Sequence, residues 1–282
     1  MKILVFGKTG QVATELQRQA NVVALGRDDA DLSDPAACAQ IVIHTDADVI
    51  INAAAYTAVD RAEDEEQLAA IVNGEAPTAM AQAAAVRGIP FLHISTDYVF
   101  DGSETRPWST TDVPSPISAY GRTKLQGEEG VAAAGGTHAI LRTSWVFSEH
   151  GVNFVKTMLR LGKERETLNI VNDQIGGPTP AADIAATLLA VAKALHNGQG
   201  KSGIYHYAGS PDVRWEGFAR EIFKQAKLSV DVSGIPTSDY PTPATRPLNS
   251  RLDCTALEQA FNINRPDWRS GLHKVLHDLG EI

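Results

Sequence analysis

Residues 2–13 read Lys2-Ile3-Leu4-Val5-Phe6-Gly7-Lys8-Thr9-Gly10-Gln11-Val12-Ala13, and this stretch decides the fold. A short, almost wholly apolar run is a strand covered on both faces. Gly7 and Gly10 then give a tight turn that lets backbone N–H groups approach an anion. The apolar residues beyond open a helix whose N-terminus is partly positive. Strand, glycine turn and helix in this order form a dinucleotide-binding unit, here spaced GxxGxxA with Ala13 small enough for close helix–strand packing. Gly7 and Gly10 are its candidate cofactor contacts.

Working outward, Asn21–Gly26, Asp48–Ala54, Pro90–Thr96 and His138–Ser144 repeat the buried-strand pattern. Between them Gly10–Gln19, Asp34–His44, Glu65–Arg87 and Tyr120–Ala134 read as helices, the second opening on Ser33-Asp34-Pro35. Alternation at this spacing predicts an α/β fold with a Rossmann-type, doubly wound parallel sheet. After Ser144 the pattern loosens. Helical stretches at Asn153–Gly162, Pro180–Leu195, Trp215–Lys227 and Gly271–Leu279 are separated by turn-rich pieces and a cluster of prolines at 236, 241, 243 and 247. Residues 1–145 are expected to form the dinucleotide-binding domain, with part of 165–200 returning to it. Residues 146–282 are expected to be mostly a smaller, partly interleaved substrate-binding domain.

The formal net charge of −9 argues against nucleic acid or an anionic membrane as a partner, because both reward a basic face. Two distant cysteines, Cys38 and Cys254, make no metal-spaced pair and fit reduced thiols. The start lacks signal-peptide anatomy, and the longest Ala/Leu-rich stretch, Ala181–Leu195, is too short and too charged to span a bilayer. A cytoplasmic protein is the expectation.

Where an NAD site carries an acid, about 20 residues past the glycines, this chain has Gly26-Arg27. Arg27 suits the 2′-phosphate of NADPH, while the adjacent Asp28 and Asp29 leave NADH open. Tyr120 and Lys124 stand four residues apart on one helix face. A free phenol has a pKa near 10, and an ammonium close by favours the phenolate, so the pair is a candidate proton donor and its tuner. Lys124 could also donate to the cofactor ribose.

Tyr120-Gly121-Arg122-Thr123-Lys124 follows a glycine loop and a strand ending in Ser95-Thr96-Asp97. On these motifs the chain resembles the extended short-chain dehydrogenase/reductase family. Thr96 stands where that family carries the Ser/Thr that hydrogen-bonds the reacting carbonyl, and Asn52-Ala53-Ala54-Ala55 resembles its cofactor-lining segment. Asn73 matches another frequent family position. Further stretches at Ser95–Gly102, Arg142–Phe147, Asn153–Met158, Asp173–Thr179 and Arg246–Arg251 resemble, in order, the branch that reduces 4-keto nucleotide sugars.

That resemblance implies reduction of dTDP-4-dehydro-β-L-rhamnose to dTDP-β-L-rhamnose. Tyr120 would be the proton donor, supported by Thr96 and Lys124. It places Thr96, Asp97 and Trp145 against the sugar. It also places Gly10, Gln11, Val12, Asp31, Leu32, Ala55, Tyr56 and Thr57, with Tyr120 and Lys124, against the dinucleotide. It further implies dimers with Mg²⁺ held by interface carboxylates. Glu15 is present, but Ala182 stands where a second carboxylate is expected, so a tight magnesium site is doubtful and no metal ligand is assigned. A homodimer stays open.

Arg246 and Arg251 could clamp a diphosphate in fork geometry. His273 and His277 have a chelating spacing but read as surface residues. A dehydratase of the same family carries an Asp-Glu pair after the threonine, whereas Asp97 here precedes Tyr98. A non-catalytic, cofactor-binding subunit is the rival from another class, and the intact Thr96, Tyr120 and Lys124 weigh against it.

Overall fold

In the computed structural model, which describes residues 1–282, six parallel strands form one sheet. β1 (Ile3–Phe6), β2 (Val22–Leu25), β3 (Val49–Asn52), β4 (Phe91–Thr96) and β5 (His138–Thr143) are joined by a sixth strand, Gly203–His206. The order across the sheet is Gly203–His206, β5, β4, β3, β1, β2. The Rossmann-type doubly wound sheet expected from the alternation is therefore present.

Strand residues alternate between two cores, as the two-residue period of a strand requires. Ile3, Val5, Ile51, Leu92 and Leu141 pack on helices Gln11–Gln19 and Ala181–His196. Leu4, Phe6, Ile50, Phe91 and Ile140 pack on Pro35–His44 and Ala76–Arg87. A third core, built on Phe147, Met158, Leu168, Phe218, Trp268 and Leu272, belongs to a smaller lobe. There strands Thr167–Val171 and Asp231–Ile235 pair in parallel.

Two departures from the sequence expectations have local causes. Glu65–Arg87 is not one regular helix: Glu66–Ala70 and Ala76–Arg87 are linked by a wide π turn, Ile71–Glu75. Pro77 has no N–H for the carbonyl four residues back and its ring crowds that carbonyl, so the regular ladder opens there. The opening turns Asn73, fully buried, towards the sheet end. The strand Gly203–His206, paired with β5 alone on the sheet edge, is not among the sequence expectations.

The sheet reverses direction at β1, whose neighbours are β2 and β3. Ligands bind beyond the carboxyl ends of strands at such a reversal. The loops that meet there are Gly7–Gly10 and Ala53–Thr57.

Candidate active site

Gly7 has φ +111°, and a Cβ on it would lie 3.2 Å from the Ala53 carbonyl and Ala54 nitrogen. Only glycine fits this left-handed, close-packed position. Gly10 caps helix Gln11–Gln19 without a side-chain hydrogen bond, which leaves the first N–H groups free for an anion. A cavity of about 280 Å³ opens in front of them, lined among others by Gly7, Gly10, Arg27, Asp31, Leu32, Ala55 and Thr57.

The other sequence-nominated cofactor residues play different parts. Gln11 turns its side chain away, its Oε1 accepting from Ser148 Oγ at 2.8 Å and Asn153 Nδ2 at 3.0 Å. Val12 lies in the core. Tyr56 donates its hydroxyl to Glu65 at 2.5 Å, and its backbone is clamped by Asn73, which accepts from Tyr56 N at 2.8 Å and donates to Tyr56 O at 3.1 Å. Asn73 also donates to Thr123 Oγ1 at 3.1 Å, so the π turn fastens the cofactor-side loop to the tyrosine helix, Ala119–Ala133. Asp29 accepts from Gly26 N at 2.9 Å and sits 4.0 Å from Lys8, so it caps the turn while Arg27 faces the cavity.

At the carboxyl end of β4, Thr96 donates to Asp97 Oδ1 at 3.1 Å, and Asp97 Oδ2 is buried without a partner. Burial pushes the Asp97 carboxyl up to about 6, with the neighbouring Ser250 and Thr96 hydroxyls pulling the other way. Burial likewise pushes Tyr120 up to about 12, against the pull of the neighbouring Thr96 hydroxyl, and the Asp97 charge adds to the rise. Thr96, Asp97 and Tyr120 are thus brought together. Lys124 is not hydrogen-bonded to Tyr120: its Nζ donates to Ile94 O at 2.7 Å and lies 3.1 Å from His93 Nε2. Burial lowers it to about 8.

Tyr98 meets Tyr120 edge-on, ring centroids 5.6 Å apart, and lines a larger cavity of about 660 Å³ that runs into the smaller lobe. Trp145 does not line that cavity. It takes φ +48° and stacks on Trp215, centroids 3.6 Å apart, and Trp215 lines the cavity instead. A left-handed non-glycine residue costs roughly 1–2 kcal/mol, about what such an aromatic pair returns. Trp215 and Gln174, joined Nε1 to Oε1 at 3.1 Å, were not singled out as site residues from the sequence. The Asp173–Thr179 motif was the one available signal.

Arg246 lines the same cavity and grips Asp60 with two nitrogens at 3.0 and 2.9 Å. Arg251 points elsewhere, onto Asn249 and the Thr105 carbonyl, so the paired arginine clamp does not form. Glu15 lies with Glu149 and His150, but Arg18 contacts both carboxylates, at 3.0 Å from Glu15, and already supplies the positive charge a cation would bring. This donor set does not fit a magnesium site. His273 and His277 are exposed on helix Trp268–Asp278.

Fold and site together define a dinucleotide-binding α/β protein with a tyrosine–lysine helix beside a nucleotide-sized cavity. The family model described as RmlD substrate binding domain matches residues 1–281, and the chain belongs to that family. It is 47% identical to a dTDP-4-dehydrorhamnose reductase of Burkholderia thailandensis, covering 99% of each chain. The enzyme of that name from Escherichia coli K12 is 41% identical, over 99% of this chain and 98% of its own. Among solved structures, a dTDP-4-dehydrorhamnose reductase from Clostridium acetobutylicum matches with TM-score 0.93 at 36% identity, over 99% and 100% of the two chains. The Bacillus anthracis reductase, solved in complex with NADP, matches with TM-score 0.92 at 32% identity, over 98% and 99%. No helix of this chain is long and apolar enough to cross a membrane.

Proposed function

We propose that this chain reduces the 4-keto group of dTDP-4-dehydro-β-L-rhamnose, giving dTDP-β-L-rhamnose, with NADPH as the preferred coenzyme. The observation that carries the reading is the cluster Thr96, Asp97 and Tyr120 at the end of β4, where Tyr120 meets Tyr98 of the large cavity. The names of the relatives and the NADP complex of one of them support it.

The bound nicotinamide supplies a hydride to the sugar C4. As the carbonyl π electrons move to oxygen, Tyr120 gives its O–H proton to that oxygen and is left as phenolate. Burial keeps the phenol protonated at neutral pH, which suits a donor waiting for a strongly basic alkoxide. Thr96 hydrogen-bonds the reacting oxygen and steadies Tyr120. Asp97, with one bare carboxylate oxygen, receives a sugar hydroxyl. Gly7 and the uncapped helix start hold the pyrophosphate, and Arg27 meets the 2′-phosphate.

The test follows loss of NADPH or NADH absorbance with enzymatically generated dTDP-4-dehydro-L-rhamnose. Oxidation with formation of dTDP-rhamnose, faster with NADPH, is expected. Cofactor binding without oxidation of either would refute the reductase reading. Arg27→Ala is expected to weaken NADPH binding at least tenfold more than NADH binding in titrations. Equal losses would remove the 2′-phosphate contact.

A further inference from the structure

His93 is fully buried on β4, and each of its ring nitrogens faces one group. Nδ1 is 3.1 Å from Asn52 Nδ2, and Nε2 is 3.1 Å from Lys124 Nζ. Asn52 is also fully buried, and its Oδ1 accepts the Ala54 N–H at 3.1 Å. That second bond fixes which way the amide points, because a carbonyl oxygen accepts and an NH₂ only donates. Asn52 therefore donates to His93 Nδ1, which must be bare. A neutral imidazole then carries its one hydrogen on Nε2 and aims it at Lys124.

An ammonium has three donors and no acceptor, whereas an amine has a lone pair. Lys124 spends one hydrogen on the Ile94 carbonyl. With Lys124 as an amine, its lone pair accepts from His93 Nε2 and no two donors face each other. With Lys124 as an ammonium, two donors face each other and one buried hydrogen has no acceptor. We propose that Asn52 and His93 form a tautomer lock that favours the neutral amine of Lys124, which makes His93 a positioning residue for the proton chemistry of the site.

The other groups facing Lys124 leave this assignment in place. Glu128, one turn further along the same helix, favours the ammonium, but its carboxylate is held by Arg142 of β5. Asp97 and Tyr98 stand at the sheet end, beside Tyr120. The π turn meets the tyrosine helix through the uncharged Asn73–Thr123 pair, and Glu75 is exposed. Burial drives both Lys124 and His93 towards their neutral forms, in the same direction as the lock. In the proposed reduction, a lysine that titrates close to neutral pH gives up and regains a proton at working pH while Tyr120 passes through its phenolate. That consequence rests on the reductase reading, while the lock itself does not.

The experiment is NMR of the intact protein with ¹⁵N-histidine and ¹³C,¹⁵N-lysine labels, across pH and without coenzyme. Expected are a neutral His93 protonated on Nε2 and bare on Nδ1, and a Lys124 titration at least one pH unit below the ordinary lysine value. Asn52→Ala frees Nδ1 to take the hydrogen, so Nε2 can accept from Lys124, and the titration should move up by half a unit or more, about threefold in equilibrium constant. In a His93→Phe background Asn52→Ala should leave the titration unmoved. A proton on Nδ1 in the unsubstituted protein, or equal Asn52→Ala shifts in both backgrounds, overturns the proposal. Should Asn52→Ala fail to fold, the ring shifts of the unsubstituted protein decide alone. Because no turnover is measured, a wrong substrate assignment leaves this result standing.

Discussion

Burial pushes Asp97 and Tyr120 towards their uncharged forms, and each prediction at the residue scale follows from that. Tyr120→Phe deletes one proton and little volume. Turnover should fall on the order of 10²–10⁴-fold, while NADPH affinity by fluorescence titration stays within about twofold. Turnover near that of the parent would sink Tyr120 as donor. For Asp97 the sign is set by linkage. The folded carboxyl titrates near 6 and the unfolded one near 3.9, so the unfolded chain binds fewer protons between those values and stability falls as pH rises through them. Asp97→Asn cannot ionise, so it should be more stable than the parent by about 1–3 kcal/mol at pH 7.5 and nearly equal at pH 4. Urea midpoints at the two pH values check this, and a variant weaker at pH 7.5 would contradict it. The same variant should lose substrate affinity.

Among the elements, the tyrosine helix is held to β5 by Arg142 and Glu128, both about 2% exposed, with three guanidinium–carboxylate contacts of 2.5–3.1 Å. Glu128→Gln leaves a buried guanidinium without its counter-ion and should cost roughly 3–5 kcal/mol of unfolding free energy, read by denaturant titration. A loss under 1 kcal/mol would mean that water reaches Arg142. The five leading strands and the tyrosine helix were legible in the sequence because each is a long enough apolar run or carries a paired motif. The π turn was not, since Val72-Asn73-Gly74-Glu75 reads as ordinary helix until Pro77 is weighed against the carbonyl four residues earlier. His93 reads as one more residue of an apolar strand, and its partners lie 41 and 31 residues away. The left-handed Trp145 and its stacking on Trp215 follow from packing between distant segments, which no local pattern carries.

Over the whole molecule, Arg246 joins the proline-rich segment 236–247 to helix Val59–Ala62, beside the loop that lines the smaller cavity. Its side chain is 24% exposed and faces the large cavity, so an arriving diphosphate competes with Asp60 for the guanidinium. Arg246→Ala should raise KM for the nucleotide sugar at least tenfold with a smaller change in kcat. A change in kcat alone would assign Arg246 to structure. The sheet order has a consequence in time. One of its two edge strands is Gly203–His206, and its covering helix Ala181–His196 packs against the helix that follows Gly7. During synthesis, at about 5–20 residues per second, the five leading strands leave the ribosome well before either of these partners. For some seconds the nascent chain therefore carries an open sheet edge and an uncovered apolar face, so the polypeptide most in need of a chaperone is the one stalled between residues 145 and 206.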